Sequence, residues 1–188
     1  MSELVEKILS GRFTRTALLT MRENAIARLK KNPKDERALE VKEVIDTTQV
    51  PKLMKEYVFM GFMPGADIDR AIDDKWYSEG VCTFDFYEDS NQTEDFYRIL
   101  PGDIVITKKM LIATGEMEIY AFGYVTECVD SPNSNKRWLK VDWQHPEEFM
   151  RVPLMGCTRT VNPKGLEMVE GKMPPEFWDW LRQETGLH

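Results

Sequence analysis

The chain has 188 residues, 42% hydrophobic and 30% charged, with a formal net charge of −7. This composition is typical of a soluble globular protein that buries a core without disulfide or metal staples. No apolar run approaches the roughly 18 residues that span a bilayer, so we expect no membrane partner. The start, MSELVEKILSGRF, contains acidic residues and no long apolar segment, which favours a cytoplasmic location over secretion.

The charge is divided unevenly along the chain. Residues 1–57 hold 12 Lys and Arg against 9 Asp and Glu, a balance of +3. Of the chain's 25 basic and 32 acidic residues, the remainder therefore holds 13 and 23, a balance of −10. Because Lys and Arg supply most of the affinity for phosphates, the acidic remainder argues against bulk coating of nucleic acid. The basic front remains available for such contacts.

Two helices are predicted in residues 1–57. In TRTALLTMRENAIARLKKNP, apolar residues recur at helical spacing, Thr14 or Thr16 could cap the start, and Asn32-Pro33 supplies a stop. These apolar residues are Leu18, Met21, Ala25 and Leu29. A second helix is expected in KDERALEVKEVIDTT, with an apolar face of Ala38, Val41 and either Ile45 or Val44.

The first helix and the residues before it are basic, which leaves two interpretations open. The face could be solvated, or it could contact phosphates through side chains that include Arg15 and Arg22. The full set of basic residues is Arg12, Arg15, Arg22, Arg28, Lys30 and Lys31.

From Tyr57 onward the sequence changes to short β-rich runs separated by Gly, Pro, Asn and Asp. The predicted strands are VCTFDFYE, DIVITKKM, EMEIYAFGYVTECV, RWLKVDW and RVPLMGCTRTV. A short helix is expected after a Pro64-Gly65 turn, with Asp67 or Asp69 as its cap. A last helix in MPPEFWDWLRQETG could dock Phe177, Trp178 and Leu181 on the sheet. We therefore expect an α+β chain with a helical segment at 1–57 and a small mixed or closed sheet over 58–188.

The residues offer little for catalysis. The two histidines, His145 and His188, lie in no HExxH-type pattern, and no nucleophile elbow, Walker loop or GxGxxG is present. The three cysteines form no CxxC pair, which favours buried thiols over a zinc or redox site. The expectation is a protein that is not an enzyme, with no cofactor and no metal.

Aromatic residues and one lysine pair are the more informative features. The candidate ligand-contacting residues of the β-rich part are Trp76, Tyr77, Phe84, Lys108, Tyr120 and Trp143. The rings could simply form the core, or a few of them could hold a planar base by stacking. In PGDIVITKK, the Asp103 carboxylate is expected to bond the turn's own backbone. Strand alternation places Lys108 with Ile104 and Ile106, while Lys109 points away.

Five sequence pieces carry a family resemblance in their order. They are Trp76 with Gly80, Ile99 with the Gly102–Lys108 run, Ile119 to Thr126, Val141 to Trp143, and Val152 to Val161. Together they resemble the PUA-like domains of the EVE type, and they are especially similar to the version at the front of McrB-type restriction ATPases. The sequence departs from the larger proteins of that family in having no ATPase or nuclease segment, in its helical front and in its acidic barrel.

The resemblance implies a small β-barrel of five to six strands flanked by helices, and a non-catalytic reader of nucleic acid, including modified bases. Trp76 then matches a pocket tryptophan, Lys108 approaches the ligand or its phosphate, and Trp143 closes a wall or packs the core. Such a reader would serve restriction-type defence or a phage counter-defence. The alternative is a protein-interaction module whose acidic barrel docks on, or inhibits, a host partner protein.

Overall fold

The structure is a computed structural model that describes residues 2–10, 13, 15–47, 55–62, 71–84, 90–131 and 136–182. The chain forms two compact units. One comprises residues 1–56 and 164–171, and the other comprises residues 57–163 and 172–188. None of the described helices has both the length and the apolar character required to cross a membrane.

Three helices make up the front of the first unit. They are α1 (Glu3–Leu9), α2 (Arg15–Lys31) and α3 (Glu36–Thr47). Their shared core consists of Ile8, Leu18, Ala25, Ala38, Val41 and Ile45. The Asp35 carboxylate accepts the Ala38 N–H at 3.1 Å and so caps the start of α3. Both predicted helices are confirmed, whereas the side chains of the candidate caps Thr14 and Thr16 lie outside the described residues.

After residue 55, the part of the chain that the structure describes contains seven strands and four further helices. They are β1 (Tyr57–Gly61), α4 (Asp73–Glu79), β2 (Val81–Thr83), α5 (Ser90–Tyr97), β3 (Ile104–Leu111), β4 (Glu116–Asp130), β5 (Arg137–Gln144), β6 (Met150–Pro153), β7 (Val161–Lys164), α6 (Leu166–Lys172) and α7 (Pro175–Trp180). The strands form one sheet in the order β2-β5-β4-β3-β1-β7, with β6 also paired to β4. Strand β1 pairs with β3 in parallel, whereas the pairs of β2 with β5 and of β4 with β3, β5 and β6 are antiparallel.

The α+β class is confirmed, but the predicted barrel is not what the described strands form. Their hydrogen-bonded path ends at β2 on one side and at β7 on the other, and β6, which lies off this path, brings the described sheet to seven strands rather than five or six. Within VCTFDFYE, Val81–Thr83 form the short β2, and residues 85–88 lie outside the described residues. The run RVPLMGCTRTV contains most of β6 and ends at Val161, the first residue of β7. The helix α5 and the strand β1 were not predicted, and the candidate caps Asp67 and Asp69 lie outside the described residues.

The last helix and the Gly102 turn agree with their predictions. Phe177 is fully buried, and the Trp178 ring meets the ring of Tyr57 on β1 edge to face at 6.0 Å. Gly102 has φ +94°, a conformation that glycine adopts without strain. The Asp103 carboxylate accepts the Leu100 N–H at 2.7 Å, which confirms its role in the turn.

The long strand β4 organises the sheet because three strands pair with it. On one edge it pairs with β3. On the other edge, pairing with β5 ends at Phe122 opposite Gln144, and pairing with β6 resumes at Ile119 opposite Met150. Residues 145–149 therefore leave the sheet beside the segment of β4 that contains Tyr120. This interruption positions the candidate site.

One glycine allows β5 to approach β4 closely. A Cβ atom at Gly123 would lie 2.3 Å from Val141 Cγ1 and 2.9 Å from the Asp142 carbonyl oxygen. Backbone cannot move away as a flexible side chain can, so the sheet would have to shift.

We predict that Gly123→Ala lowers the free energy of unfolding by about 1–3 kcal/mol, the usual cost of overpacking. Urea unfolding followed by tryptophan fluorescence measures this, because all five tryptophans lie in the second unit. Gly61→Ala is the matched control, since its Cβ would meet its nearest neighbour at an ordinary 3.6 Å. Equal midpoints for the two variants would contradict the prediction.

Candidate ligand-binding site

Three of the sequence-predicted rings belong to the core. Trp76, Phe84 and Trp143 are 2%, 1% and 5% exposed. Trp76 Nε1–H donates to Thr83 Oγ1 at 3.0 Å, and Trp143 Nε1–H donates to the Val81 carbonyl oxygen at 3.1 Å. With their surfaces covered and their indole donors satisfied, these rings support the site from behind.

Tyr77 is half-buried and connects α4 to the sheet. Its ring meets the rings of Trp143 at 5.2 Å and His145 at 4.4 Å, both edge to face. Its hydroxyl lies 2.8 Å from Thr107 Oγ1 on β3. Burial is the main reason why the pKa of the Tyr77 hydroxyl is raised, and burial also lowers the pKa of His145.

The Thr107 hydroxyl substitutes for ladder hydrogen bonds where the β3–β4 register shifts. Between Ile106 and Lys108 the pairing slips by one residue on β4. There the Ala121 N–H donates to Thr107 Oγ1 at 3.0 Å, and the Thr107 hydroxyl donates to the Ala121 carbonyl oxygen at 3.3 Å. A buried peptide group without partners would cost folding free energy, and this side chain satisfies it.

Tyr120, next to this bulge, is the sequence-predicted residue that lies at an accessible rim. Its ring contacts Phe62 edge to face at 5.4 Å and the tilted ring of Phe149 at 5.7 Å. Phe149 belongs to the segment that leaves the sheet and is 51% exposed. The Tyr120 and Phe149 rings therefore form an aromatic rim beside the gap between β5 and β6.

Charged groups from three strands surround the same rim. Glu118 on β4 is opposite Lys109 on β3 and opposite Arg151 on β6. Arg151 Nε and Nη2 donate to Glu118 Oε1 at 3.1 and 3.0 Å. Lys109 and Arg151 therefore place two positive charges next to Glu118, and the negative charge of Asp73 also acts on Tyr120.

The hydroxyl of Tyr120 donates to Glu118 Oε2 at 2.6 Å. This hydrogen bond is the largest cause of the lowered pKa of Glu118, to which Arg151 adds. Burial is the main reason why the pKa of Tyr120 is raised, and the neighbouring carboxylate raises it further. At neutral pH the pair therefore consists of an ionised carboxylate and a neutral phenol.

The structure does not bring Lys108 together with these rings. Thr107 and Lys109 share the sheet face that carries Tyr77 and Tyr120, and alternation turns Lys108 to the opposite face. Lys108 is 2% exposed, and its Nζ donates to the Arg159 carbonyl oxygen at 2.9 Å. Burial lowers the pKa of Lys108 to about 8, while the nearby Cys157 acts to raise it.

Arg15 and Arg22 belong to the first unit and are paired with carboxylates. Arg15 is 4% exposed, and its guanidinium lies 3.9 Å from a carboxylate oxygen of the buried Glu56. Arg22 Nε donates to Asp46 Oδ1 at 2.5 Å. A phosphate would have to compete with these carboxylates for both arginines.

Sequence reasoning overlooked four residues of this rim, namely Lys109, Glu118, Phe149 and Arg151. Phe149 and Arg151 are adjacent to a predicted loop and strand, but nothing local indicates that β6 returns to β4 beside Tyr120. Strand alternation places Lys109 on the same face as Thr107, but the sequence alone does not show that this face carries Tyr77 and Tyr120.

Among the described residues, no group of three or more His, Cys, Asp or Glu side chains is arranged to hold a metal ion. Comparisons of the chain with protein-family models, with curated proteins and with solved structures found no match. The resemblance to EVE-type domains therefore stays a prediction, and the site is interpreted from its own geometry.

We predict that Lys108→Met stabilises the protein at pH 7 by an amount on the order of 2 kcal/mol, because a buried ammonium is replaced by an apolar side chain. The ordinary pKa of lysine is about 10.4, so the unfolded state binds more protons than the folded state between about pH 8 and 10. The free energy of unfolding of the wild type should therefore increase as pH rises through this window. The Lys108→Met variant should not show this increase.

Urea unfolding at pH 7, 8, 9 and 10 measures both effects. Lys109→Met is the matched control, because it leaves Lys108 in place and should keep the wild-type gain between pH 8 and 10. The prediction is contradicted if the Lys108→Met protein is less stable than the wild type at pH 7, or if its stability still rises between pH 8 and 10. Either result would show that burial of the Lys108 ammonium does not destabilise the folded state.

Proposed function

We propose that the protein is a non-catalytic module that binds nucleic acid by stacking a base on the aromatic rim of Tyr120 and Phe149. The observation that carries this proposal is the position of Lys109 and Arg151 beside that rim. Aromatic rings bind bases through their faces, and neighbouring cations bind the backbone phosphates. Each stacked base contributes about 1–3 kcal/mol to binding.

The chemistry of the rim suits binding better than catalysis. Glu118 is held ionised by its hydrogen bonds, and the raised pKa of Tyr120 keeps the phenol protonated. A general acid–base pair needs groups whose pKa values lie near the working pH. In this pair the pKa of Glu118 is lowered and that of Tyr120 is raised, so both are shifted away from neutral pH. We therefore assign the rim a recognition role.

The resemblance to EVE-type domains supports the same class of ligand. The narrower form of this proposal is a PUA-like domain that reads a modified base in restriction-type defence or phage counter-defence. Trp76 and Trp143 then stabilise the wall behind the rim, since both rings are buried. The base itself would contact Tyr120 and Phe149.

A protein-interaction role is the second candidate, and a different surface favours it. Met110 and Ile112 in and beside the β3–β4 turn are 36% and 74% exposed. Apolar side chains exposed on one hairpin, in a part of the chain with a balance of −10, could dock on a basic partner.

We predict that the purified protein binds single-stranded oligonucleotides at low salt and that Phe149→Ala weakens this binding about tenfold, through loss of one stacking ring. Arg151→Gln should reduce the slope of log affinity against log salt by about 1, because one phosphate contact is lost. Fluorescence anisotropy across a salt series measures both effects, with duplexes and modified bases included to define the ligand.

Ile112→Ala is the matched control, because it also truncates an exposed apolar side chain but lies on the hairpin turn. It should bind nucleic acid like the wild type. Absence of binding at low salt, or an equal loss in the Ile112→Ala and Phe149→Ala proteins, would refute the proposed rim. A partner protein whose capture depends on Ile112 would favour the second candidate.

A further inference from the structure

The Glu118 carboxylate already accepts a two-pronged donor. Arg151 presents Nε–H and Nη2–H to Oε1, and the Tyr120 hydroxyl holds Oε2. The side chain of Glu118 is only 9% exposed, whereas that of Arg151 is 59% exposed. The carboxylate is therefore fixed in the protein, and its arginine partner lies on the solvent side, where it can be exchanged.

An ionised carboxylate discriminates between bases by the hydrogen-bonding pattern of their edges. It has acceptors only. Guanine presents two adjacent donors, N1–H and the exocyclic N2–H, in the same fork that a guanidinium presents. Adenine and cytosine place a ring nitrogen lone pair beside their amino group, and that lone pair faces the carboxylate charge unfavourably.

Building on the proposed function, we propose that Glu118 selects guanine at the Tyr120–Phe149 rim. The guanine edge replaces the Arg151 fork at the carboxylate, and the released guanidinium turns to a backbone phosphate. The Tyr120 hydroxyl keeps its bond to Oε2 and so fixes the orientation of the carboxylate beside the edge of the base.

The exchange preserves the hydrogen bonds of the buried group. Glu118 would exchange one pair of N–H donors for another, so its carboxylate is not left unpaired. The Arg151 side chain is largely exposed, and a pair with such a partner contributes little net stability. Arg151 also gains a phosphate, for which its planar fork is well suited.

Oligothymidylates of eight residues that carry one central guanine, hypoxanthine, adenine or cytosine test this inference by fluorescence anisotropy. We expect the guanine oligomer to bind at least about tenfold more tightly than the adenine oligomer, as a good bidentate contact allows. Hypoxanthine keeps N1–H and lacks the exocyclic amine, so its affinity should lie between them. Glu118→Gln should remove the preference for guanine.

Arg151→Gln is the comparison variant. It should weaken all four oligomers by a similar factor and keep the preference for guanine, since its role in the complex is to contact phosphate. Urea unfolding would show whether Glu118→Gln folds normally, and the wild-type series alone decides the preference if it does not. A guanine preference that survives in the folded Glu118→Gln protein would overturn the inference.

The outcomes separate the two proposals. If the wild type binds all four oligomers equally and Phe149→Ala weakens each of them, the guanine assignment is wrong and the nucleic-acid rim stands. If the wild type binds none of them at low salt, both proposals fail.

Discussion

The arrangement of the sheet depends on the hydrogen bonds between the Thr107 hydroxyl and the Ala121 peptide, which stabilise the bulge in β4. At this point β4 shifts its register against β3 and changes partner from β6 to β5 on its other edge. The same Thr107 hydroxyl also forms a hydrogen bond with the Tyr77 hydroxyl. One side chain thus satisfies a peptide in the bulge and anchors α4. The bulge in turn places Tyr120 beside the gap in the sheet edge.

The site combines a fixed wall with an exchangeable rim. Trp76 and Trp143 are buried and hydrogen-bonded, so they cannot open to admit a base without breaking the core. Phe149 and Arg151 are exposed, and their movement disturbs few packed atoms. The Glu118 carboxylate is held in place by Tyr120 and Arg151, so it loses little conformational freedom when a ligand binds. Under this condition a few polar contacts are enough to provide specificity.

Local patterns predicted the helices α2 and α3, the turn at Asp103 and the alternation along β3. They could not predict which face of β3 carries the rings, because that depends on β1 inserting beside β3 in parallel and on β6 returning to β4. The sequence therefore predicts Lys108 as the ligand-contacting lysine, whereas the structure places Lys109 opposite Glu118 on the face of the rim. The helix α5 was missed because SNQTEDFY is polar for most of its length, and its Gln92 and Asp95 side chains bond residues 159–161 instead of supplying a local signal.

The acidic balance of residues 58–188 and the two cations beside the rim, Lys109 and Arg151, act over different distances. At about 0.1 M salt, charges more than about 10 Å apart are largely screened. The distant carboxylates therefore weaken the approach of nucleic acid but act little on a phosphate already in contact with Lys109 or Arg151. An acidic chain with only two cations beside this rim should thus bind the nucleic-acid backbone slowly and weakly. Discrimination must then come from short-range contacts, and Glu118 and Tyr120 are the groups placed to supply them.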